Sequence, residues 1–151
     1  MSQHAAGVRW RRTSADFSYE TYNRAHDMVF KAGEIILPAS SAPAFRGEAD
    51  RVDPEEAYVA SLSSCHMLTF LAICARRRLT VDGYEDEASG MLEKGADGKL
   101  WITRVILRPL VRFSPEIAVD SESIHDIHHS SHAECFIASS VKTHVTVEPR
   151  L

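Results

Sequence analysis

Alternating hydrophobic and polar positions fill two parts of the chain, and between them lies a segment that is apolar on nearly every face. In the first part, residues 8–12 (VRWRR) and 17–22 (FSYETY) follow the two-residue period of a strand. His26 to Phe30, then Lys31-Ala32-Gly33-Glu34, then Ile35-Ile36-Leu37 read as a hairpin with Gly33 in the turn. Residues 38–52, punctuated by Pro38, Pro43 and Gly47, read as a loop.

A helix start follows. Asp53 suits the N-cap and Pro54 the first helical position, and Glu55 and Glu56 put negative charge at the positive end of the helix dipole. Asp53 with Glu56 has the pattern of a capping box. The helix is expected to reach about Arg78, where three successive arginines suit the negative end. Ala57, Val59, Ala60, Leu62, Met67, Leu68, Phe70, Leu71 and Ile73 leave it no polar face, so it belongs inside something. A single sheet of this size covers only part of such a helix, and a dimer sandwiching two of them covers the rest.

The second alternating part runs from Val81 to Leu92, turns at Ala96-Asp97-Gly98, and returns as a long strand pattern from Leu100 to Phe113. Helical segments are expected at 117–129 and 131–140, separated by a break at Ser130-Ser131, and Thr143 to Glu148 closes the chain as a strand. This order predicts an α+β fold with a largely antiparallel sheet, in a single domain over residues 1–151.

Composition narrows the function classes. Hydrophobic residues at 44% and charged residues at 25% are those of a globular protein. A net charge of −4 argues against nucleic acid as a partner. The basic runs at Arg9, Arg11 and Arg12 and at Arg76, Arg77 and Arg78 read as solvated faces or helix ends. Ser61, Ser63, Ser64, His66 and Thr69 interrupt the longest apolar run, which reads as a buried helix and not a membrane span. The first residues lack an apolar signal core, so a cytoplasmic location with no membrane partner is expected. Three cysteines, an odd number, argue against a secreted disulfide framework and for catalytic or metal-binding use.

Cys65 and Cys74 lie nine residues apart on one expected helix. That places them on opposite faces, about 13 Å apart along the axis, whereas a disulfide needs Cα atoms within about 7 Å. A redox pair therefore uses Cys135 with one or the other. Cys65 sits in a polar notch, Ser63-Ser64-Cys65-His66, while Cys74 sits among Leu71, Ala72, Ile73 and Ala75 like a buried small hydrophobe. Cys135 is expected near the start of a helix, where thiol pKa values fall. The run from His125 to His132 puts His125, His128 or His129, and His132 on one helical face, with Cys135 as a conceivable fourth zinc ligand. No His-Glu-x-x-His pattern is present, and structural or surface roles are expected for these histidines, with no metal assigned.

Three separated motifs, Asp53-Pro54-Glu55-Glu56-Ala57, Ser63-Ser64-Cys65 and His132-Ala133-Glu134-Cys135, together resemble the OsmC/Ohr family of organic hydroperoxide reductases. Ten residues separate Glu55 from Cys65 and seventy separate the two cysteines, as in the family pattern, and the order of elements agrees along nearly the whole chain. His66 and Phe136 stand where Phe and Pro are usual after the two cysteines, and Ser131 where the second motif usually has Ala. These departures bring the chain nearer the OsmC-like branch.

The resemblance implies an OsmC-like fold, with antiparallel sheets wrapped around central helices in an intertwined homodimer and sites at the interface. It implies a thiol peroxidase in which Cys65 attacks an organic hydroperoxide and Cys135 resolves the product as a disulfide, with an external dithiol as reductant and no cofactor. It implies an arginine near the N-terminal strands, assigned to Arg24 with Arg46 as runner-up. A thiol of pKa about 8.5 is only ~3% thiolate at pH 7, and a guanidinium beside it raises that fraction. Glu55 can hold Arg24 by a bidentate pair. It lies about 15 Å along the helix from Cys65, so it serves the site most simply from a partner helix; its plain role is a helix N-terminal acid. The other readings are a non-catalytic thiol sensor, a dimer binding a hydrophobic ligand, and a zinc protein.

Overall fold

A computed structural model describes residues 1–150, which gather into two compact units, Met1–Ala57 and the chain from Tyr58 onward. In the first, β1 (Gly7–Arg9), β2 (His26–Phe30) and β3 (Ile35–Ala39) form an antiparallel sheet in chain order. The hairpin is where the sequence puts it: Phe30 faces Ile35 and His26 faces Ala39. Gly33 turns the chain at φ 108, a conformation that residues with a Cβ rarely adopt. Residues 40–52 are mostly irregular, tied down by a single bridge between Ala39 and Val52.

Residues 17–22 form a turn instead of the expected strand. Thr21 and Tyr22 donate backbone hydrogen bonds to the Ser18 carbonyl. The Thr21 hydroxyl donates to Asp16 at 2.9 Å and lies 2.8 Å from the Ser18 hydroxyl. These short polar side chains satisfy the local backbone and one another, which removes the need for a strand partner. The strand expected over 8–12 shrinks to β1 for lack of partners beyond Arg9, which pairs with Asp27.

The helix α1 (Pro54–Arg76) begins with the expected capping box: the Glu56 amide donates to Asp53 Oδ1 at 2.7 Å, and the Asp53 amide to Glu56 Oε2 at 3.1 Å. It ends two residues before Arg78, which takes a left-handed φ of 60. It is long and apolar enough to cross a bilayer by composition. In the second unit, however, Leu62, His66, Phe70, Ile73 and Cys74 form a buried stripe along it.

That stripe rests on two strand systems. β4 (Val81–Asp86) pairs with β7 (Pro109–Phe113), and β5 (Ser89–Lys94) pairs with β6 (Leu100–Leu107). The long return strand expected over 100–113 is thus two strands. Proline, which has no N–H for a ladder, stands as the first residue of β7, and the Arg108 amide turns to Asp86 Oδ1 at 2.6 Å. The partner arm breaks at the same level, between Asp86 and Ser89. Gly90 admits α1 closely, since a Cβ there would stand 2.6 Å from a Val59 methyl.

A second helix, α2 (Ser121–Glu134), and a last strand, β8 (His144–Val147), complete the α+β fold; β8 joins β6 in parallel, the one parallel strand pair among the described residues. The expected break at Ser130-Ser131 does not occur. The Ser131 hydroxyl donates to the Ile127 carbonyl one turn back, at 2.6 Å, and the helix runs through. One core cluster gathers Leu62, Val105, Leu107 and Val145; the other gathers Phe70, Ile73, Cys74 and Ile127.

Candidate active site

Cys65 rides α1 on a partly covered face, one position before the buried stripe. Cys135 is 1% exposed and caps the C-terminal end of α2. The two thiols are near enough for Cys65 to help raise the Cys135 pKa, although seventy residues separate them in the chain. Both are free thiols in this structure. Of the two pairings that the sequence leaves open, the structure thus brings Cys65 to Cys135. Cys74 is 1% exposed, within the core cluster of Phe70, Ile73 and Ile127.

The setting of Cys135 differs from the sequence expectation. Because α2 continues through Ser131, Cys135 falls at a helix C-terminus and not at an N-terminus. Burial is the main influence raising its pKa; the Cys65 thiol adds to it, and the amide N–H groups of Ala138 and Ile137 oppose it in part. The Ala138 amide donates to the sulfur at 3.4 Å. Cys135 is therefore a protonated thiol at neutral pH. Cys74 is pushed up to about 11 by burial, against a smaller opposing influence from Arg77, and is chemically quiet.

Sequence reasoning did not anticipate the polar pair beside these cysteines. His66 on α1 and His128 on α2 are 1% and 2% exposed, and His66 Nε2 lies 3.0 Å from His128 Nδ1. Their rings are parallel within 7°, and the Phe70 ring stacks on His128 with centroids 4.3 Å apart. Desolvation lowers the His66 pKa to about 4, with the neighbouring His132 adding to it. Desolvation lowers that of His128 to about 3, with His66 and His125 adding. Both rings are neutral at pH 7. The only sequence signal was helical spacing, with His66 four residues before Phe70 and His128 four after Ile124, which marks a face but not a pair.

Arg24 and Glu55 belong to the first unit. Arg24 is 8% exposed, its guanidinium 3.7 Å from the Tyr22 ring centroid. Its terminal nitrogens donate to the Tyr22 and Tyr19 carbonyls, and its Nε has no partner among the described residues. Within the chain, then, Arg24 is bound by backbone carbonyls and not by Glu55. It borders a cavity of about 470 Å³ lined by aromatic and apolar side chains, including Trp10, Phe17 and Tyr22. Arg46, the runner-up, is exposed.

Residues 47–150 match the family model of OsmC-like proteins. No curated protein matches significantly. Among solved structures, an OsmC-like protein of unknown function from Vibrio cholerae O1 biovar eltor str. N16961 is 43% identical, with a TM-score of 0.94 over 99% of this chain and 100% of that one. An organic hydroperoxide resistance protein from Elizabethkingia anophelis has 14% identity and a TM-score of 0.70 over 99% of each chain. The organic hydroperoxide resistance protein OhrB of Bacillus subtilis has 18% identity and a TM-score of 0.69 over 97% of this chain and 98% of its own. The last two likenesses establish the fold. The family model, covering more than half of the sequence, and the Vibrio relative, covering nearly all of it, agree with the three motifs read from the residues: the chain belongs to the OsmC-like protein family.

Proposed function

We propose that this protein is a two-cysteine thiol peroxidase that reduces organic hydroperoxides to alcohols. The observation that carries the reading is the contact between a partly accessible Cys65 and a buried, protonated Cys135. Cys65 thiolate attacks one peroxide oxygen; the O–O bond breaks, the alkoxide takes up a proton and leaves as alcohol, and Cys65 becomes a sulfenic acid. The Cys135 sulfur attacks that sulfur, and its proton leaves with the hydroxyl as water. An external dithiol then reduces the disulfide by exchange. No cofactor enters.

Arg24 is the proposed guanidinium of the reaction, orienting the peroxide through its fixed set of donors. Its burial against Tyr22, its unpartnered Nε and the apolar cavity beside it support this choice over Arg46. Glu55 is proposed to support the site from a second copy of the chain, and the working form is proposed to be a homodimer. A thiol pair that must cycle fits a reducing compartment, so the cytoplasm is the proposed location.

The test is to treat reduced protein with sub-stoichiometric organic hydroperoxide, map disulfides by mass spectrometry, and follow turnover with a coupled dithiol. A Cys65–Cys135 bridge with turnover, both lost in Cys65→Ser, is the expected result. A bridge that forms without turnover would instead make the protein a redox sensor.

A further inference from the structure

The two cysteine-bearing helices of the second unit meet at two polar points. One is the dithiol; the other is the His66–His128 hydrogen bond. The remaining side-chain bonds between these helices, Arg76 to Glu134 and Arg77 to Asp126, are exposed ion pairs of the kind that constrains little. The histidine pair is a costly way to fill a core. His66 Nδ1 and His128 Nε2 are both buried without partners, and an apolar pair of similar size would avoid that penalty.

What an apolar pair lacks is direction. An N–H···N bond of 3.0 Å between parallel rings, with Phe70 stacked on His128, fixes the rotation of α2 about its own axis. His128 and Cys135 are seven residues apart. Two turns of helix bring position 135 back to within about 20° of the same face. Cys135 keeps a helical φ of −72 and departs only in ψ, so its side chain leaves in the helical direction. On α1 the partners are adjacent, Cys65 and His66. A rotation of α2 by roughly 20° moves a sulfur some 4.5 Å from the axis by about 1.5 Å, comparable to the difference between sulfur contact and a bond near 2.05 Å.

We propose that His66 and His128 are positioning residues for the dithiol: their hydrogen bond sets the rotation of α2 that presents the Cys135 sulfur to Cys65. The proposal rests on the peroxidase reading for its kinetic consequence, but its geometric content holds for any oxidation of this pair.

Two measurements separate the proposal from the reading. The first follows peroxide oxidation in two steps, sulfenic acid formation trapped with dimedone and then disulfide closure. In His128→Leu, closure slows about 10- to 100-fold, the scale of a 1 Å misplacement, while sulfenic acid formation stays within about twofold. His128→Asn, whose amide stands near the position of Nδ1, restores most of the closure rate. Arg77→Ala, which removes an exposed ion pair between the same helices, leaves both steps alone. The second measurement needs no peroxide: the Cys65–Cys135 equilibrium in glutathione redox buffers shows a matching fall in effective molarity for His128→Leu, with rescue by His128→Asn.

Closure at the wild-type rate in His128→Leu, or both steps slowing in proportion without rescue, would overturn the proposal. If wild type forms no bridge with peroxide but the glutathione equilibrium still responds, the peroxidase reading fails and the positioning role stands. If His128→Leu does not fold, His66→Gln, which keeps an amide near Nε2, against His66→Leu gives the same contrast from the α1 side.

Discussion

At Cys74 and Cys65 the same helix offers two thiols of opposite character. Cys74 is sealed in the core with its pKa raised to about 11, whereas Cys65 is partly accessible. Alkylation of the native protein at pH 8 is therefore expected to label Cys65 and spare Cys74, read by peptide mass spectrometry. Cys74→Ser should leave hydroperoxide turnover intact and cost about 1–3 kcal/mol in chemical denaturation, the penalty of a hydroxyl buried without a sure partner. The histidine pair makes a pH prediction. His66 and His128 titrate near 4 and 3 when folded, below the ordinary 6.5, so between those limits the unfolded chain binds more protons than the folded one. Stability is full above about pH 6.5 and falls as the pH drops, each ring contributing a slope of up to about 1.4 kcal/mol per pH unit. Urea midpoints at pH 7.5, 6 and 5 should decline, and decline less in a His66→Gln/His128→Asn double variant.

At the level of elements, the parts legible from sequence are those whose chemistry is local. Asp53-Pro54-Glu55-Glu56 writes a helix start that the structure reproduces bond for bond, and Asp53→Ala should cost about 1 kcal/mol on removing half of the capping box, measured by thermal or urea unfolding. Gly33 and Gly98 mark turns because their φ values of 108 and 76 suit glycine. Competing local bonds obscure other elements. Asp16, Ser18 and Thr21 satisfy one another, so a segment with strand periodicity becomes a turn. The Ser131 hydroxyl returns to its own helix, so an apparent breaker breaks nothing. Because α2 runs unbroken, Cys135 stands at a helix end instead of the expected helix start, and its pKa is raised where a fall was expected. The His66–His128 bond joins residues 62 apart and has no local signature at all.

For the whole molecule, the feature that remains is the uncovered side of α1. Opposite the buried stripe, Ala60, Ser61, Ser64, Leu68, Ala72 and Ala75 are exposed, and Leu68 is 61% exposed despite its apolar side chain. Small residues at three- and four-residue spacing allow another helix to approach closely, which is the pattern behind the proposed homodimer. Sedimentation of the wild-type chain is expected to give a dimer, and Leu68→Arg to shift it to monomer at micromolar concentration. Under the proposed cycle, the partial exposure of Cys65 and the burial of Cys135 would decide how an oxidised bridge is opened. A dithiol arriving from solvent would then find one sulfur within reach, so the mixed disulfide would form on Cys65 and Cys135 would depart. Its raised pKa makes Cys135 a reluctant leaving group and a ready one to return only once ionised. On that proposal the bridge would have one addressable end, and a reductant would be selected by its fit to the outer face of a helix rather than by its potential alone.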